Sequence, residues 1–438
     1  MLRSTLFAIC CSCLIFTANC SAQGESAVPF LLISPSAESN GMGETSVALL
    51  TDDPLGPMTN PAHLGMLSLD NYFSYGNNFS YWLPAFNIPD LWYRTIAINA
   101  GINLKKLLAI SPELGIGLGY SRIYLNLGQF VETGPNGPTP LATFNAHETS
   151  DQFTLGVGIN YWVKASAGIT FKHILSSLAQ FDVQRQGKEG SATVNSYDYG
   201  LLLQVPLMGI FSQLREKPIQ LLPHLSPFFS FSFGLAKNNL GDKKVIYIDA
   251  AQADPLPRYA RIGIGLDLGI VYNGDDFVWR PLSFKWTIEA NDLLVRRYGE
   301  VVDSLGNLVR EGYWEYQGGL GDINFFDEVI LGKTNTETIK KKGWEFNFFD
   351  IISTRGGRFE EDYNRGNRRF NTSGYSLRLA GFIKLLRAMA VPIANDNIIG
   401  FIANHVDVRL TRSEYTTDEP DSPLARTEFN SFNIVFSN

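Results

Sequence analysis

Between residues 152 and 163 the chain sets Phe153, Leu155, Val157, Ile159, Tyr161 and Val163 at alternate positions, with Thr154, Gly156, Gly158 and Asn160 between them. Successive side chains of a strand point to opposite faces, so this segment has one apolar face and one small or polar face. The period returns where Leu114, Ile116, Leu118 and Tyr120 oppose Gly115, Gly117, Gly119 and Ser121. It returns again where Ile262, Ile264, Leu266, Leu268, Ile270 and Tyr272 oppose Arg261, Gly263, Gly265, Asp267 and Gly269. Leu282, Phe284, Trp286 and Ile288 alternate with Lys285 and Glu289, Tyr375 and Leu377 with Arg378, and Val406, Val408 and Leu410 with Asp407 and Arg409. A soluble sandwich would alternate too, with its apolar face inward. Length separates the two: these segments run to about 10 residues or more, which a tilted strand needs to cross a bilayer, whereas soluble strands cluster near 5 or 6. Aromatics also recur at segment ends (Trp92, Tyr93, Tyr120, Tyr124, Tyr161, Trp162, Tyr272, Tyr415), as an interfacial girdle would place them. Backbone groups in lipid survive as strands only when the sheet closes. The expectation is therefore an all-β, transmembrane antiparallel β-barrel in contact with outer-membrane lipid.

Export fits that expectation. All four cysteines, Cys10, Cys11, Cys13 and Cys20, lie in an opening stretch where Arg3 precedes an apolar run and Ser21 and Ala22 offer a cleavage site, so residues 1–22 read as a signal peptide. A lipoprotein signal would need a small residue before the acylated cysteine, and Asn19 precedes Cys20. Removing the peptide takes away one basic residue and moves the formal charge from −7 to −8, a balance without a nucleic-acid footprint. Residues 382–402 are apolar but carry Lys384, Arg387, Pro392 and Asp396, which excludes a spanning helix.

Catalytic signals are poor, and neither an enzyme nor a cofactor is expected. The five histidines (His63, His147, His173, His224, His405) have no ligand spacing and no cysteine partner in the mature chain, so no metal site is expected either. Gly263-Ile264-Gly265 begins like a dinucleotide fingerprint but sits inside a period-two strand. Glu360, Glu361 and Asp362 read as a solvated acidic loop, Lys340, Lys341 and Lys342 as a solvated basic one. Stretches at 132–140, 215–226, 301–311, 335–343, 356–371 and 417–423 read as loops.

Residues 28–64 do not alternate. Gly41 and Gly43 allow close approach or positive φ, and Asn60-Pro61-Ala62 reads as a helix start with Asn as cap and Pro at the first helical position. In order, Val28-Pro29-Phe30, Gly41-Met42-Gly43, Asp52-Asp53 and Asn60-Pro61-Ala62 resemble the opening of FadL-type outer-membrane barrels, and most of all the PorV and PorQ branch associated with type IX secretion. The stretch from Gly343-Trp344-Glu345-Phe346 to Arg355-Gly356-Gly357, followed by Gly374-Tyr375, is similar to a late strand pair of that branch.

The resemblance implies about 14 strands, with an N-terminal hatch folded into the lumen: residues 23–66 as hatch, 67–438 as barrel. On that reading the inward glycines make room for the hatch or let strands curve, and Arg261, Asp267, Lys285, Glu289, Arg378, Asp407 and Arg409 face the lumen, where they pin the hatch to the wall. Two functions follow as expectations. One is a secretion component whose outer loops bind exported cargo or partner subunits, towards which residues 28–35 tilt the reading. The other is a passive transporter of a hydrophobic ligand.

Overall fold

A computed structural model describes residues 26–437 except 106–111, 134–136, 138, 183–188, 218, 243, 248–252, 275–276, 300, 303–307, 363–364 and 390–397. The segment read as a signal peptide lies outside the described residues. Nine strands come first: β1 (Tyr72–Tyr81), β2 (Trp92–Asn103), β3 (Glu113–Thr133), β4 (Pro140–Asn160), β5 (Lys164–Asp182), β6 (Glu189–Pro206), β7 (Leu225–Gly241), β8 (Tyr259–Asn273) and β9 (Val278–Leu293). An insertion then carries β10 (Val295–Tyr298), β11 (Val301–Val302), β12 (Leu308–Arg310) and β13 (Tyr313–Tyr316), which pair only among themselves. The wall resumes with β14 (Ile339–Phe348), β15 (Ile352–Glu360), β16 (Arg369–Arg378), β17 (Val406–Thr417) and β18 (Glu428–Ser437). β9 pairs directly with β14, and β1 pairs with β18, Tyr72 opposite Ser437, so the wall is a closed antiparallel barrel of 14 strands. No described helix is long and apolar enough to cross a membrane.

Both ends of the wall lie at one rim, here the terminal rim. The short connections 161–163, 274–277 and 349–351 lie there too, while the 294–338 insertion rises from the opposite, far rim. The outer surface is the greasy face of the alternation. Leu118 is 65% exposed and Phe153 60%, with Leu155, Val157, Phe171, Leu201, Leu377 and Leu410 also exposed. A contiguous apolar surface of this extent has lipid as its natural solvent. β3 and β4 each run 21 residues, about twice what a bilayer crossing needs, so they stand beyond it at the far rim. On β3 the change comes after Ser121: below it glycines face inward and Ile116 and Leu118 outward, above it Ile123 and Leu125 turn inward and Arg122 outward.

Four sequence expectations are corrected. Ile262 and Ile264 point outward but are buried, because a π-helical turn of the insertion, Phe325–Ile330, folds back over β7–β9 and sets Phe325 and Val329 on them. Tyr93 and Tyr415, read as girdle residues, have inward parity and are buried in the lumen. Lys340, Lys341 and Lys342 belong to β14, not to a loop, with Lys341 buried. The loops read at 335–343 and 356–371 are shorter, since β14 begins at Ile339, β15 runs to Glu360 and β16 starts at Arg369. The lysines and the two loops share one source: charged or small residues at inward positions of a filled barrel look like loop composition.

If the outer band meets hydrocarbon, Leu155→Arg should destabilise the folded barrel in lipid vesicles by roughly 2–4 kcal/mol near the midplane. Tryptophan fluorescence over a guanidinium titration measures this, and a shift no larger than that of Leu155→Ala would show that the face does not meet lipid.

Candidate functional site: the plugged lumen

Residues 26–70 run inside the wall. Their elements are short: a 3₁₀ turn at Pro29–Leu32, α1 (Ala37–Gly41), a turn at Gly56–Met58 and α2 (Ala62–Leu67). Turns within the segment pair many of its amides, Leu31 with Val28, Asn60 with Gly56 and His63 with Asn60 among them, and the buried groups left over must be paired elsewhere. The wall supplies the partners from its inward side chains. Asn78 Nδ2 and Thr95 Oγ1 donate to the Pro35 carbonyl at 3.0 and 2.7 Å, and Asn99 Nδ2 donates to that of Pro54 at 2.9 Å. Ser232 Oγ reaches the Ala48 carbonyl at 2.6 Å and Tyr93 Oη that of Ile33 at 3.2 Å. In the other direction, Glu289 Oε2 accepts from the successive amides of Ser46 and Val47 at 2.7 and 2.9 Å.

The inward glycines allow this approach. A β-carbon on Gly156 would strike the backbone of Leu64 and Gly65, on Gly168 the Pro61 carbonyl, and on Gly200 the side chain of Asn60. On Gly234 it would strike Val47, on Gly343 Met42, and on Gly357 the amide of Gly43. β4, β5, β6, β7, β14 and β15 thus each leave a slot for one successive part of the segment. Of the two roles open from sequence, the room is for the hatch.

The predicted hatch motif lies on these contacts. Gly41 packs its α-carbon against Gly374, and Thr372 Oγ1 donates to the Gly41 carbonyl at 3.0 Å. Gly43 has φ +68°, a left-handed conformation that its position between β14 and β15 would deny any residue with a side chain, and its amide donates to Thr372 Oγ1 at 2.8 Å. Asn60 Oδ1 caps the Ala62 amide at 3.1 Å while its Nδ2 donates to the carbonyls of Val47 at 2.7 Å and Leu201 at 3.2 Å. Pro61 stands one position before the helix proper, whose first residue is Ala62.

All seven predicted charges face the lumen, but they divide. Arg409 binds Glu38 and Asp52, the latter at 2.6 Å, and Arg378 binds Asp52 at 3.1 Å and Asp350 at 2.9 Å. Asp407 lies between the two arginines, 2.7 Å from Arg378 and 3.1 Å from Arg409. Arg261 donates to Ser46 Oγ at 2.9 Å and lies 3.7 Å from Glu289. These five hold or flank the hatch. Asp267 and Lys285 form ion pairs within the wall, with Arg280 at 3.9 Å and Glu345 at 3.2 Å. Sequence reasoning passed over Lys341, 3.3 Å from Glu44, and Tyr415, whose hydroxyl donates to Glu44 at 2.7 Å. It also passed over Arg355, which joins Glu345 at 2.5 Å and approaches Glu38 at 3.7 Å. Their signal was parity: each is an inward position of an alternating strand. His63 is buried and neutral, its pKa lowered to about 4 by desolvation, with Nε2 2.9 Å from the Ser46 carbonyl.

Towards the far rim the lumen changes character. Ile123, Leu125, Ile174, Val194, Phe359, Phe370, Tyr415 and Phe429 line it, and Val28, Phe30, Leu31 and Ile33 of the hatch fill it. Phe359, Phe370 and Tyr415 stack in sequence at ring separations of 4.7 and 4.4 Å. Beside this cluster a cleft of about 760 Å³, part of it open to solvent, is lined by Leu32 and Glu44 of the hatch, by Tyr259, Ile339 and Phe359, and by the charged Arg261, Asp292, Lys341, Glu361 and Arg368.

No protein-family model matches the chain, and no curated protein does. Among solved structures it is similar to a Pseudomonas aeruginosa FadL homologue, at 11% identity over 92% of this chain and 98% of that one with a TM-score of 0.36. It is similar to the P. putida toluene transporter TodX at 11% identity over 91% and 96%, TM-score 0.34. A third is the Ralstonia pickettii toluene transporter TbuX, at 12% identity over 92% and 97%, TM-score 0.30.

Arg409→Ala would leave Glu38 and Asp52 without their shared cation. Removing one partner of a buried ion pair costs about 3–5 kcal/mol, and here the loss should fall on hatch attachment rather than on the wall. Limited proteolysis should cut within residues 26–70 faster in the variant, while the gel shift between unheated and boiled protein persists.

Proposed function

We propose that the protein is an outer-membrane channel for apolar small molecules, with residues 26–70 as its gate. The observation that carries this reading is the far half of the bore, which is lined with aliphatic and aromatic side chains from many strands and stoppered by Val28, Phe30, Leu31 and Ile33. Short turns of outer-membrane barrels face the periplasm and long loops the exterior, so the terminal rim is periplasmic and the apolar half opens outward. The cleft beside this half sets Leu32, Tyr259, Ile339 and Phe359 among the charges of Glu44, Lys341, Glu361 and Arg368, so an apolar solute would enter along its apolar side and meet the cluster that Phe359 shares with Phe30. Movement of the hatch then opens the polar lower half, and no energy source is called for.

The secretion reading fares less well on the same residues. Residues 28–35, which tilted the sequence towards the PorV branch, are mostly buried in the bore, Pro29 excepted, where they form the stopper that the transport reading uses and not the outer loops that the secretion reading assigns to cargo. None of the three similar structures named above is a PorV or PorQ protein.

Deletion of residues 28–53 should leave a barrel that inserts, because the segment takes no part in the strand pairing that closes the wall. Its single-channel conductance in planar bilayers should rise well above that of the intact protein. Cells carrying the intact protein should take up toluene or a long-chain fatty acid faster than cells without it, and Phe30→Asp should alter that rate. Unchanged conductance after the deletion would show that another element seals the bore; equal uptake with and without the protein would remove the transport reading.

A further inference from the structure

The terminal rim carries two helices whose exposed faces are apolar. The first, α3 (Leu207–Leu214), joins β6 to β7 and leaves Phe211 53% and Leu214 65% exposed. The second, α4 (Leu379–Ala388), follows β16 and packs on α5 (Ile398–His405) and on β17. Along α4, Leu379, Phe382, Leu386 and Met389 recur at spacings of three and four and form one stripe, with Leu379, Phe382 and Met389 exposed. The opposite face is small or cationic and is turned to the protein. Ala380 and Gly381 are buried, Gly381 against the Asp350 carbonyl of the β14–β15 turn. Arg387 lies over the Phe277 ring at 4.9 Å and donates to Asn404 of α5 at 3.0 Å.

The stripe has no protein partner among the described residues, and its position says what covers it. Leu379 follows the lipid-facing Tyr375 and Leu377 of β16 in the same parity, and exposed Phe349 and Ile352 flank it on the neighbouring turn and strand. The apolar surface of α4 is thus continuous with the hydrocarbon band of the wall. α3 stands on nearly the opposite side of the 14-strand ring with the same exposure. We infer that α3 and α4 lie in the headgroup layer of the leaflet at the terminal rim, their apolar stripes sunk towards the acyl chains, and that lipid is their partner. A short helix with one exposed apolar face is the form that rests in this layer rather than crossing it, and the cations that suit it stand on α4 at Lys384 and Arg387 and just past α3 at Arg215 and Lys217. Two such feet on opposite sides fix the depth and tilt of the barrel.

All four cysteines lie in residues 1–22, so single labels can be placed cleanly on protein produced without that segment. Phe211→Cys, Phe382→Cys and, as a far-rim control, Asp421→Cys are labelled with bimane and reconstituted into phosphatidylethanolamine and phosphatidylglycerol vesicles, with folding checked by the heat shift on a gel. Lipids bearing a shallow nitroxide should quench the labels at 211 and 382 several-fold more strongly than aqueous iodide does, with the order reversed at 421. Iodide quenching at 211 and 382 equal to that at 421 would overturn the inference. Leu214→Cys and Met389→Cys read the same two faces if either first variant fails the folding check.

Discussion

A peptide threaded through a barrel has no ladder to join, and the buried amides and carbonyls that its own turns leave free must find partners on the wall. That requirement governs the interior of this protein. The bilayer imposes the outer condition, that all strands pair in a closed ring. The hatch imposes the inner one, that Asn78, Thr95, Asn99, Ser232, Asn238 and Glu289 stand where its carbonyls and amides pass. Backbone-to-backbone distance is needed for this, which is why the positions between those polar residues are so often glycine.

The two halves of the bore answer different physical problems. In the half nearer the terminal rim, buried ion pairs such as Arg409 with Glu38 and Asp52 cost desolvation and return mostly specificity of position. In the far half, non-directional apolar burial around Phe30 is joined by Tyr93 on the Ile33 carbonyl and by Lys341 and Tyr415 on Glu44, which fix register there too.

The wall was legible in the sequence because alternation is local: Phe153 to Ile159 or Tyr375 to Leu377 can be read without knowing their neighbours. The seven inward charges were legible for the same reason, since charge opposite an apolar face has one place to go. What was missed depended on distant chain. Nothing near Ile262 announces that Phe325 and Val329 will cover it, and Lys341 looks solvated until Glu44 is placed beside it. Tyr93 and Tyr415 looked interfacial because an aromatic at a strand end suits either a headgroup layer or an apolar plug. Parity would have told them apart. The reversal after Ser121, where the apolar residues of β3 change sides, was also present in the sequence and marks where lipid gives way to the filled bore.

The seam between β1 and β18 sets an order on assembly. The hatch precedes β1 without interruption and touches strands as far along the chain as β18, where Asn433 donates to Asp53, so its contacts cannot be complete until the whole wall has been made. Once Tyr72 pairs with Ser437 the ring has no opening at its side, and a hatch left outside would have to enter through a rim. The last pairing of the sheet is therefore also the enclosure of the peptide. The barrel must zip around its occupant, which serves as a mandrel for the closing wall.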